Sequence, residues 1–419
     1  MHIPSHNNLQ EILAVPEMVR LTIADEGSER KPTFLIRTDV LKSKYLLQLP
    51  SYKIVLLPLS NGWLAYGLEI EDDPEHPMLL WSIIEEYAEI EAFKKLATSP
   101  VCSLAIFNET GANVAFVTAK CDFGNEPIEL LFKHINLHPD KDRLGPKEAV
   151  SALNKIRNSQ PSKYQAWIHG IVTPDHEWKT IQASYITSQL SVTRLDLIDL
   201  DEGGQQEQLV EWLTDGINPS SVHRSPQVSI SETKSRELTD VIATSELTYF
   251  LFESKSLSIL GRSPLPSRKK LSKNLSKHLK KATDQLRGAT RHIKSKKEVF
   301  NINGEIIDIP SSYGHAIIMV PNIDLISRDD DKSAKILEDF SAETNHLLHI
   351  LDPAELLRIV QASLKLVEMK RFSKPVDAFD FLLMQRFGNA VDKDVSAIEI
   401  IHRFPGHEHK MGTGYLPEI

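Results

Sequence analysis

The sequence predicts an α/β protein with a mixed β-sheet flanked by helices, preceded by an α+β domain and followed by further helices. Three stretches carry this prediction. Residues 237–255 read as two strands joined by a turn, residues 269–294 have the apolar spacing of a long helix, and the sequence after residue 331 is mostly helical in pattern. The expected domains are an α+β domain of unknown role, the mixed-sheet core and a helical extension, at residues 1–163, 164–330 and 331–419.

Length and composition set broad limits on the protein. A chain of 419 residues with 41% hydrophobic and 25% charged residues has room for two or three globular domains. No stretch approaches the ~18 apolar residues of a membrane span, and the first residues lack a signal-peptide pattern, so we expect a cytoplasmic protein with no membrane association. Cys102 and Cys121 stand in strand-like sequence, which favours buried reduced thiols, and no Cys/His spacing typical of a zinc site occurs.

The first part of the chain alternates short strands with turn signals. Residues 30–75 contain strand-like runs broken by Pro, Ser and Asn-Gly. Residues 77–97 then place apolar side chains at helical spacing, which predicts an amphipathic helix that covers those strands. Two more strands are predicted at residues 101–107 and 113–120. The polar, Pro-containing stretch 134–162 is the best candidate for an interdomain linker.

The stretch 237–255 carries the strongest chemical signal. Side chains alternate along a strand, so Glu253 and Lys255 project to the same face. If the two strands pair around the middle of this stretch, Asp240 falls opposite Glu253, and two carboxylates meet at one edge. Such a pair suits Mg²⁺, which binds one or two carboxylates together with water and phosphate oxygens. The spelling Glu-x-Lys recurs elsewhere, and the alternative to a metal site is a solvated hairpin edge.

The remaining elements of the core follow in order around this hairpin. A short helix is predicted at residues 205–214, and a buried strand at residues 315–320 is the expected last strand of the core. Further along, Asp352 is the expected N-cap of a helix over residues 354–369. Gly388 is expected to stop the helix after that.

The predicted helix at residues 269–294 combines an apolar stripe with a neighbouring cationic stripe of the same period. Residues 262–297 contain thirteen Lys or Arg and one acid, Asp284, whereas the whole chain has a net charge of −9. This asymmetry predicts a local anion-binding face, and alternatives are a solvated surface or a docking site for an acidic protein. The residues expected to contact a nucleic-acid backbone are Lys273, Lys277, Lys280, Arg287 and Arg291.

Three short motifs together resemble the PD-(D/E)XK restriction-endonuclease-like nucleases, particularly the Mrr-like and nuclease-related (NERD) branches. The motifs are Thr-Asp-Val-Ile-Ala at 239–243, Tyr-Phe-Leu-Phe-Glu-Ser-Lys at 249–255 and Asp-Gln-Leu-Arg-Gly-Ala at 284–289. The resemblance covers residues 205–325 and implies a restriction-endonuclease-like core. Thr239 occupies the position before Asp240 at which the PD-(D/E)XK motif has proline. The helical acid that the family carries before the hairpin corresponds to either Glu207 or Glu211.

The resemblance also implies an activity and a set of site residues. Asp240 and Glu253 would bind Mg²⁺ or Mn²⁺, Lys255 would orient the attacking water and stabilise charge on the phosphate, and Gln285 would be the catalytic glutamine of the helix. The implied reaction is hydrolysis of DNA phosphodiester bonds, in restriction or phage defence. The alternative is a nucleic-acid-binding module that keeps the fold without catalysis. A homodimer, or a partner protein bound through the N-terminal domain, is compatible with the sequence.

Overall fold

The computed structural model describes residues 4, 6–15, 17–26, 29–59, 62–70, 77–124, 128, 132, 148–153, 168–188, 190–231, 234–260, 262, 265–310, 313–326, 334–400, 402, 404 and 413–416. The protein is a mixed α/β structure with two compact units. The first unit comprises Met1–Ala183, Asp196–Ile198 and Pro405–Ile419, and the second comprises Ser184–Leu195 and Asp199–Phe404. Of the helices in the described ranges, none is long and apolar enough to cross a membrane.

The first unit is built on a large mixed sheet. Its strands run in the order β1-β2-β6-β7-β8-β3-β4-β5-β20, with β9 paired to β7, and only β2 and β6 pair in parallel. The strands are β1 (Met18–Glu26), β2 (Glu29–Arg37), β3 (Tyr52–Pro58), β4 (Leu64–Ile70), β5 (Met78–Ile83), β6 (Val101–Phe107), β7 (Asn113–Asp122), β8 (Ile168–Pro174), β9 (Lys179–Thr180) and β20 (Thr413–Leu416). The helices are α1 (His6–Ala14), α2 (Val40–Gln48) and α3 (Tyr87–Thr98).

Strand β5 corrects the prediction of a helix over residues 77–97. All six of its residues are buried, and it pairs with β4 and β20. A short continuous apolar run fits a buried strand as well as a buried helix, so its spacing alone could not decide between them. The helix begins at Tyr87, where Glu86 and Glu89 form a capping box, and the prediction holds only for this second half.

Strand β8 extends the first unit past the boundary expected at residue 163. It pairs with β3 on one side and with β7 on the other, so its backbone hydrogen bonds are made within the first sheet. Residues 134–147 and 154–167, which include most of the predicted linker, lie outside the described residues. The second unit therefore begins about twenty positions later than expected, at Ser184.

The second unit contains a five-stranded mixed sheet in the order β12-β15-β16-β18-β19. Strands β12, β15 and β16 are antiparallel, whereas β16, β18 and β19 are parallel. The strands of this unit are β10 (Ala183–Ile186, whose first residue belongs to the first unit), β11 (Val192–Leu195), β12 (Ser221–Arg224), β13 (Gln227–Ser231), β14 (Lys234–Glu237), β15 (Val241–Thr244), β16 (Tyr249–Ser254), β17 (Val299–Phe300), β18 (Gly314–Met319) and β19 (Leu347–Leu351). Its helices are α4 (Glu202–Asp215), α5 (Arg268–Lys294), α6 (Lys335–Thr344), α7 (Pro353–Glu368) and α8 (Pro375–Asp392).

The predicted core elements are present in the predicted order. Helix α4, the β15–β16 hairpin, helix α5 and strand β18 match the expected bounds within four residues. The sequence after residue 331 differs from the prediction of a separate helical extension, because β19 pairs with β18 and extends the core sheet. Asp352 caps α7 as predicted, by accepting from the Glu355 amide at 2.8 Å. Gly388 does not stop α8, which continues to Asp392.

The two faces of the core sheet are covered differently. On β16, Phe250 stacks on His315 of β18, with ring centroids 5.3 Å apart, and packs edge-on against Phe379 of α8. Side chains alternate along the strand, so Glu253 points to the opposite face. Helix α5 packs on β16 and β18 with a buried apolar stripe that includes Leu275, Leu279 and Leu286. The sheet thereby holds Glu253 in a buried strand next to a long cationic helix.

Candidate active site

The β15–β16 hairpin places Asp240 opposite Glu253, as predicted. The strands pair from Val241 with Phe252 to Thr244 with Tyr249, and continuing this register by one residue joins the two acids. The Phe252 carbonyl accepts from the Asp240 amide at 3.1 Å and from the Thr239 hydroxyl at 2.6 Å. Two donors on one carbonyl fix the end of the hairpin, so Asp240 is held by the backbone ladder.

Lys255 lies directly beside Glu253. Its Nζ is 2.6 Å from Glu253 Oε1, and its backbone amide donates to the Met319 carbonyl at 2.8 Å, which continues the β16–β18 pairing. Glu253 is only 1% exposed. Asp240 Oδ2 accepts from the Ser254 amide at 2.5 Å. The structure therefore brings Asp240, Glu253 and Lys255 together at the end of one central strand.

Burial and mutual repulsion disfavour the charged forms of the two acids. Burial raises the pKa of Glu253 to about 7; Asp240 contributes further in the same direction, and Lys255 opposes the shift. Burial also raises the pKa of Asp240, against the effect of the Ser254 amide and of Lys255. A cation bound between the carboxylates would offset both the lost hydration and the repulsion.

Two more acids act on this pair, and sequence reasoning identified one of them only as an alternative. Burial raises the pKa of Glu207, on α4, to about 7, and Asp240 and Glu237 add to the increase. Glu211 instead lies 2.8 Å from Arg224. Of the two helical acids, Glu207 is therefore the one that interacts electrostatically with Asp240. Glu237, on β14, also raises the pKa of Asp240 and Glu253. Its position three residues before Asp240 was the signal that could have identified it.

Asp240 and Glu253 are the residues that could hold a metal ion. Across the described ranges of the chain, no group of three or more His, Cys, Asp or Glu side chains is arranged to bind one metal ion. Asp240 and Glu253 supply two carboxylates, and Mg²⁺ is commonly held by one or two, with water and substrate oxygens completing its octahedron. The opposed pair and its raised pKa values therefore fit a hard divalent cation.

Helix α5 carries Gln285, the predicted catalytic glutamine, and His278, which interacts with Lys255. Burial lowers the pKa of His278, and Lys255 lowers it further, which places this part of α5 beside the site. Gln285 follows seven residues later, so it lies about 10 Å further along the helix axis. It is exposed and lines a cavity together with basic side chains. Gln285 thus lies on the same helix as His278, about two turns further along, and its catalytic role stays a prediction.

The cationic stripe of α5 is exposed except at Arg287. Arg287 Nε lies 2.8 Å from Glu343 of α6, another of its nitrogens lies 3.0 Å from Asp284, and its guanidinium covers the Phe340 ring at 5.9 Å. Arg287 therefore takes part in the packing between α5 and α6, and its predicted contact with nucleic acid stays a prediction. The exposed members of the stripe are Lys273, Lys277, Lys280 and Arg291.

Glu207, Glu237, Asp240 and Glu253 are linked by electrostatic interactions beside Lys255, and we call these four acids the carboxylate cluster. It can bind a divalent cation, and the lysine can stabilise negative charge next to that cation. Exposed cations on α5 lie on an adjacent element of the same unit. Comparison of the chain with protein-family models, curated proteins and solved structures found no match.

Proposed function

We propose that the second unit is a metal-dependent deoxyribonuclease that hydrolyses phosphodiester bonds in DNA. The observation that carries this proposal is the opposed pair Asp240 and Glu253, with Lys255 Nζ 2.6 Å from Glu253. Two adjacent acids with raised pKa values, one of them in a buried strand, are costly for the fold to keep charged. Such perturbed groups are concentrated at functional sites, because substrates or ions use the charges that the fold alone disfavours.

The order of elements supports a restriction-endonuclease-like core. Helix α4 precedes the β15–β16 hairpin, helix α5 follows it, and β18 returns in parallel beside β16. This is the succession of helix, hairpin, helix and strand that the resemblance to PD-(D/E)XK nucleases implies. The two acids opposite each other at the open end of the hairpin, and the lysine two residues after Glu253, occupy the corresponding motif positions.

The residues divide the chemistry among them. Asp240 and Glu253 would hold Mg²⁺ or Mn²⁺, which when bound polarises a phosphate oxygen and lowers the pKa of a bound water. The Lys255 ammonium donates to Glu253 and is positioned to orient the water nucleophile and stabilise charge on the phosphate. The backbone hydrogen bonds between β15 and β16 fix these groups relative to one another. Less entropy is therefore lost when the groups are oriented for the reaction.

The cationic stripe supports a nucleic-acid substrate. Lys273, Lys277, Lys280 and Arg291 are exposed on α5, whose apolar face is anchored on the sheet that carries the site. A rigid row of positive charges at helical spacing contacts backbone phosphates irrespective of base sequence. These side chains would therefore hold DNA while the carboxylate cluster acts on one phosphodiester.

Plasmid cleavage by the purified protein tests the proposal. With Mg²⁺ the wild type should nick or linearise plasmid, and with EDTA it should not. Glu253→Ala, Asp240→Ala and Lys255→Ala should each lower the rate by about 10²- to 10³-fold, since each removes a transition-state interaction of about 3–4 kcal/mol. The exposed acid Glu338 supplies the control Glu338→Ala, which should cleave like wild type. Normal cleavage by all three folded site variants would refute the assignment.

A nucleic-acid-binding module without catalysis is the second candidate. It is favoured by the exposed cations of α5, which could hold a nucleic-acid backbone without any catalysis. In this case the protein would bind DNA equally in EDTA and in Mg²⁺, and no concentration of protein would produce metal-dependent cleavage. If the cationic stripe instead docks an acidic protein, DNA should not compete with that protein for the stripe.

A further inference from the structure

A cavity of about 470 Å³ lies between β14 and α5, outside the carboxylate cluster. Its volume falls in the range of small-ligand pockets, about 300–1,000 Å³. The charged and glycine residues that line it are Arg236, Lys277, Lys280, Lys281, Asp284 and Gly288. Four of these side chains are cationic and one is acidic, so the walls are strongly positive.

The positive charge of the cavity is not neutralised by neighbouring acids. Asp284, its one acidic lining residue, lies 3.0 Å from Arg287, which is outside the lining. In the part of the chain that the structure describes, Arg236, Lys277, Lys280 and Lys281 make no ion pair, and all four are exposed. An anion in the cavity would gain interactions with several cations at once, which a solvated surface lysine does not offer.

The cavity and the carboxylate cluster share two elements. On β14, Arg236 lines the cavity, and the next residue, Glu237, raises the pKa of Asp240 and Glu253. On α5, Lys277 lines the cavity, and the next residue, His278, feels the charge of Lys255. The cavity and the residues that interact with the site therefore lie on neighbouring positions of β14 and α5.

Gly288 keeps one wall of the cavity open. A Cβ atom built on this residue would meet nothing within 4 Å, so the glycine is not needed for close packing. Gly288 lies in the middle of α5, where glycine costs about 1 kcal/mol relative to alanine in a helix. A larger side chain would project into free space at the cavity and would obstruct a ligand without crowding the core.

We propose that this cavity is a phosphate-binding site that takes a phosphate group of the nucleic-acid strand next to the phosphodiester addressed by the carboxylate cluster. The identity of the strand rests on the proposed function, whereas the phosphate chemistry follows from the four cations. Arg236 can present two parallel N–H donors to phosphate oxygens, and the lysines add point charges around them. Gln285, in the same lining, can donate through its amide.

A matched pair of glycine substitutions tests this site. Gly288→Glu places a carboxylate in the cavity, while Gly388→Glu makes the same change in the middle of α8, where a Cβ also meets nothing within 4 Å. Both substitutions favour helix, so both variants should fold. With a fluorescent 20-base-pair duplex in EDTA, Gly288→Glu should weaken binding about tenfold and flatten the slope of log affinity against log salt by about 0.9, as expected for one lost phosphate contact. Gly388→Glu should bind like wild type.

Further measurements distinguish a terminal from an internal phosphate and test the cavity proposal separately from the nuclease proposal. Stronger binding of a 5′-phosphorylated duplex than of a 5′-hydroxyl duplex, lost in Gly288→Glu, would support a site for a strand end, and equal binding with the same loss would support an internal phosphate. Equal affinity of both glycine variants, or no DNA binding by wild type, would overturn the cavity proposal. Gly288-dependent binding without Mg²⁺-dependent cleavage would retain the cavity and reject the nuclease, whereas cleavage with equal binding by both variants would do the reverse.

Discussion

Replacing Glu253 by Gln should stabilise the protein at pH 8.5 and have little effect at pH 5. Burial and Asp240 raise the pKa of Glu253 from 4.5 to about 7. Below pH 4.5 the carboxyl is protonated in both the folded and the unfolded state, so it has no effect on stability. Between pH 4.5 and 7 the unfolded state releases a proton that the folded state retains, and stability falls as the pH rises. At about 1.4 kcal/mol for each tenfold change in the ionisation constant, the cost above pH 7 is about 3 kcal/mol.

Gln keeps an oxygen that accepts from Lys255 but has no charge to desolvate. The variant should therefore lack this pH dependence, and at pH 8.5 its melting temperature should exceed that of wild type by about 6–12 °C, since 1 kcal/mol corresponds to about 2–4 °C for a unit of this size. Thermal denaturation followed by circular dichroism at pH 5 and pH 8.5 measures the difference. Glu338→Gln, at an exposed position, is the control. Parallel pH profiles of wild type and Glu253→Gln would refute the reasoning.

Three further outcomes are expected. Combined replacement of Lys273, Lys277 and Lys280 by Gln should flatten the slope of log DNA affinity against log salt by up to about 2.7. Arg287→Gln should leave this slope unchanged, because Arg287 is bound to Glu343. A fragment of residues 184–404 should fold and unfold cooperatively on its own, while one that begins near residue 164 carries β8 without its partner strands and should be poorly soluble. Mg²⁺ affinity measured by calorimetry should rise about tenfold from pH 6 to pH 8, because the ion competes with the proton on Glu253.

Each of these outcomes has a result that would contradict it. Equal slopes for the folded triple variant and wild type would return the α5 stripe to the role of a solvated surface. A molten fragment of residues 184–404, with no sharp transition, would show that the second unit depends on the first for stability. Mg²⁺ affinity that does not change between pH 6 and pH 8 would place the ion away from Glu253.

The relative placement of the candidate site residues could be predicted largely because it is local. Asp240 and Glu253 belong to one hairpin, so strand alternation and a symmetric register were sufficient to place them opposite each other. The cationic helix was equally accessible, since its period repeats over many turns. Glu207 was harder to assign, because the choice between it and Glu211 depends on which face of α4 turns towards Asp240 and which towards Arg224.

The parts that sequence reasoning missed depend on contacts between distant segments. Met78–Ile83 and Leu347–Leu351 are short apolar runs whose spacing fits a strand or a helix, and only their pairing with β4 and β18 decides. The contacts of Arg287 could not be predicted either, because α6, about fifty residues later, brings Glu343 and Phe340 against it. Gly388 was expected to stop a helix, yet the packing of α8 offsets the low helix propensity of a single glycine.

The position of β16 between a near and a distant partner has a kinetic consequence. It joins β15 across a turn of four residues, but it joins β18 only after about sixty residues that include α5. Hairpins form in microseconds, whereas non-local pairing closes a long loop and is slower. Asp240 and Glu253 therefore meet while they are still hydrated, and the desolvation of Glu253 arrives late, when the rest of the core packs. Ionisation of Glu253 should accordingly speed unfolding and leave the refolding rate unchanged, so chevron plots at pH 5 and pH 8.5 should share one arm and differ in the other.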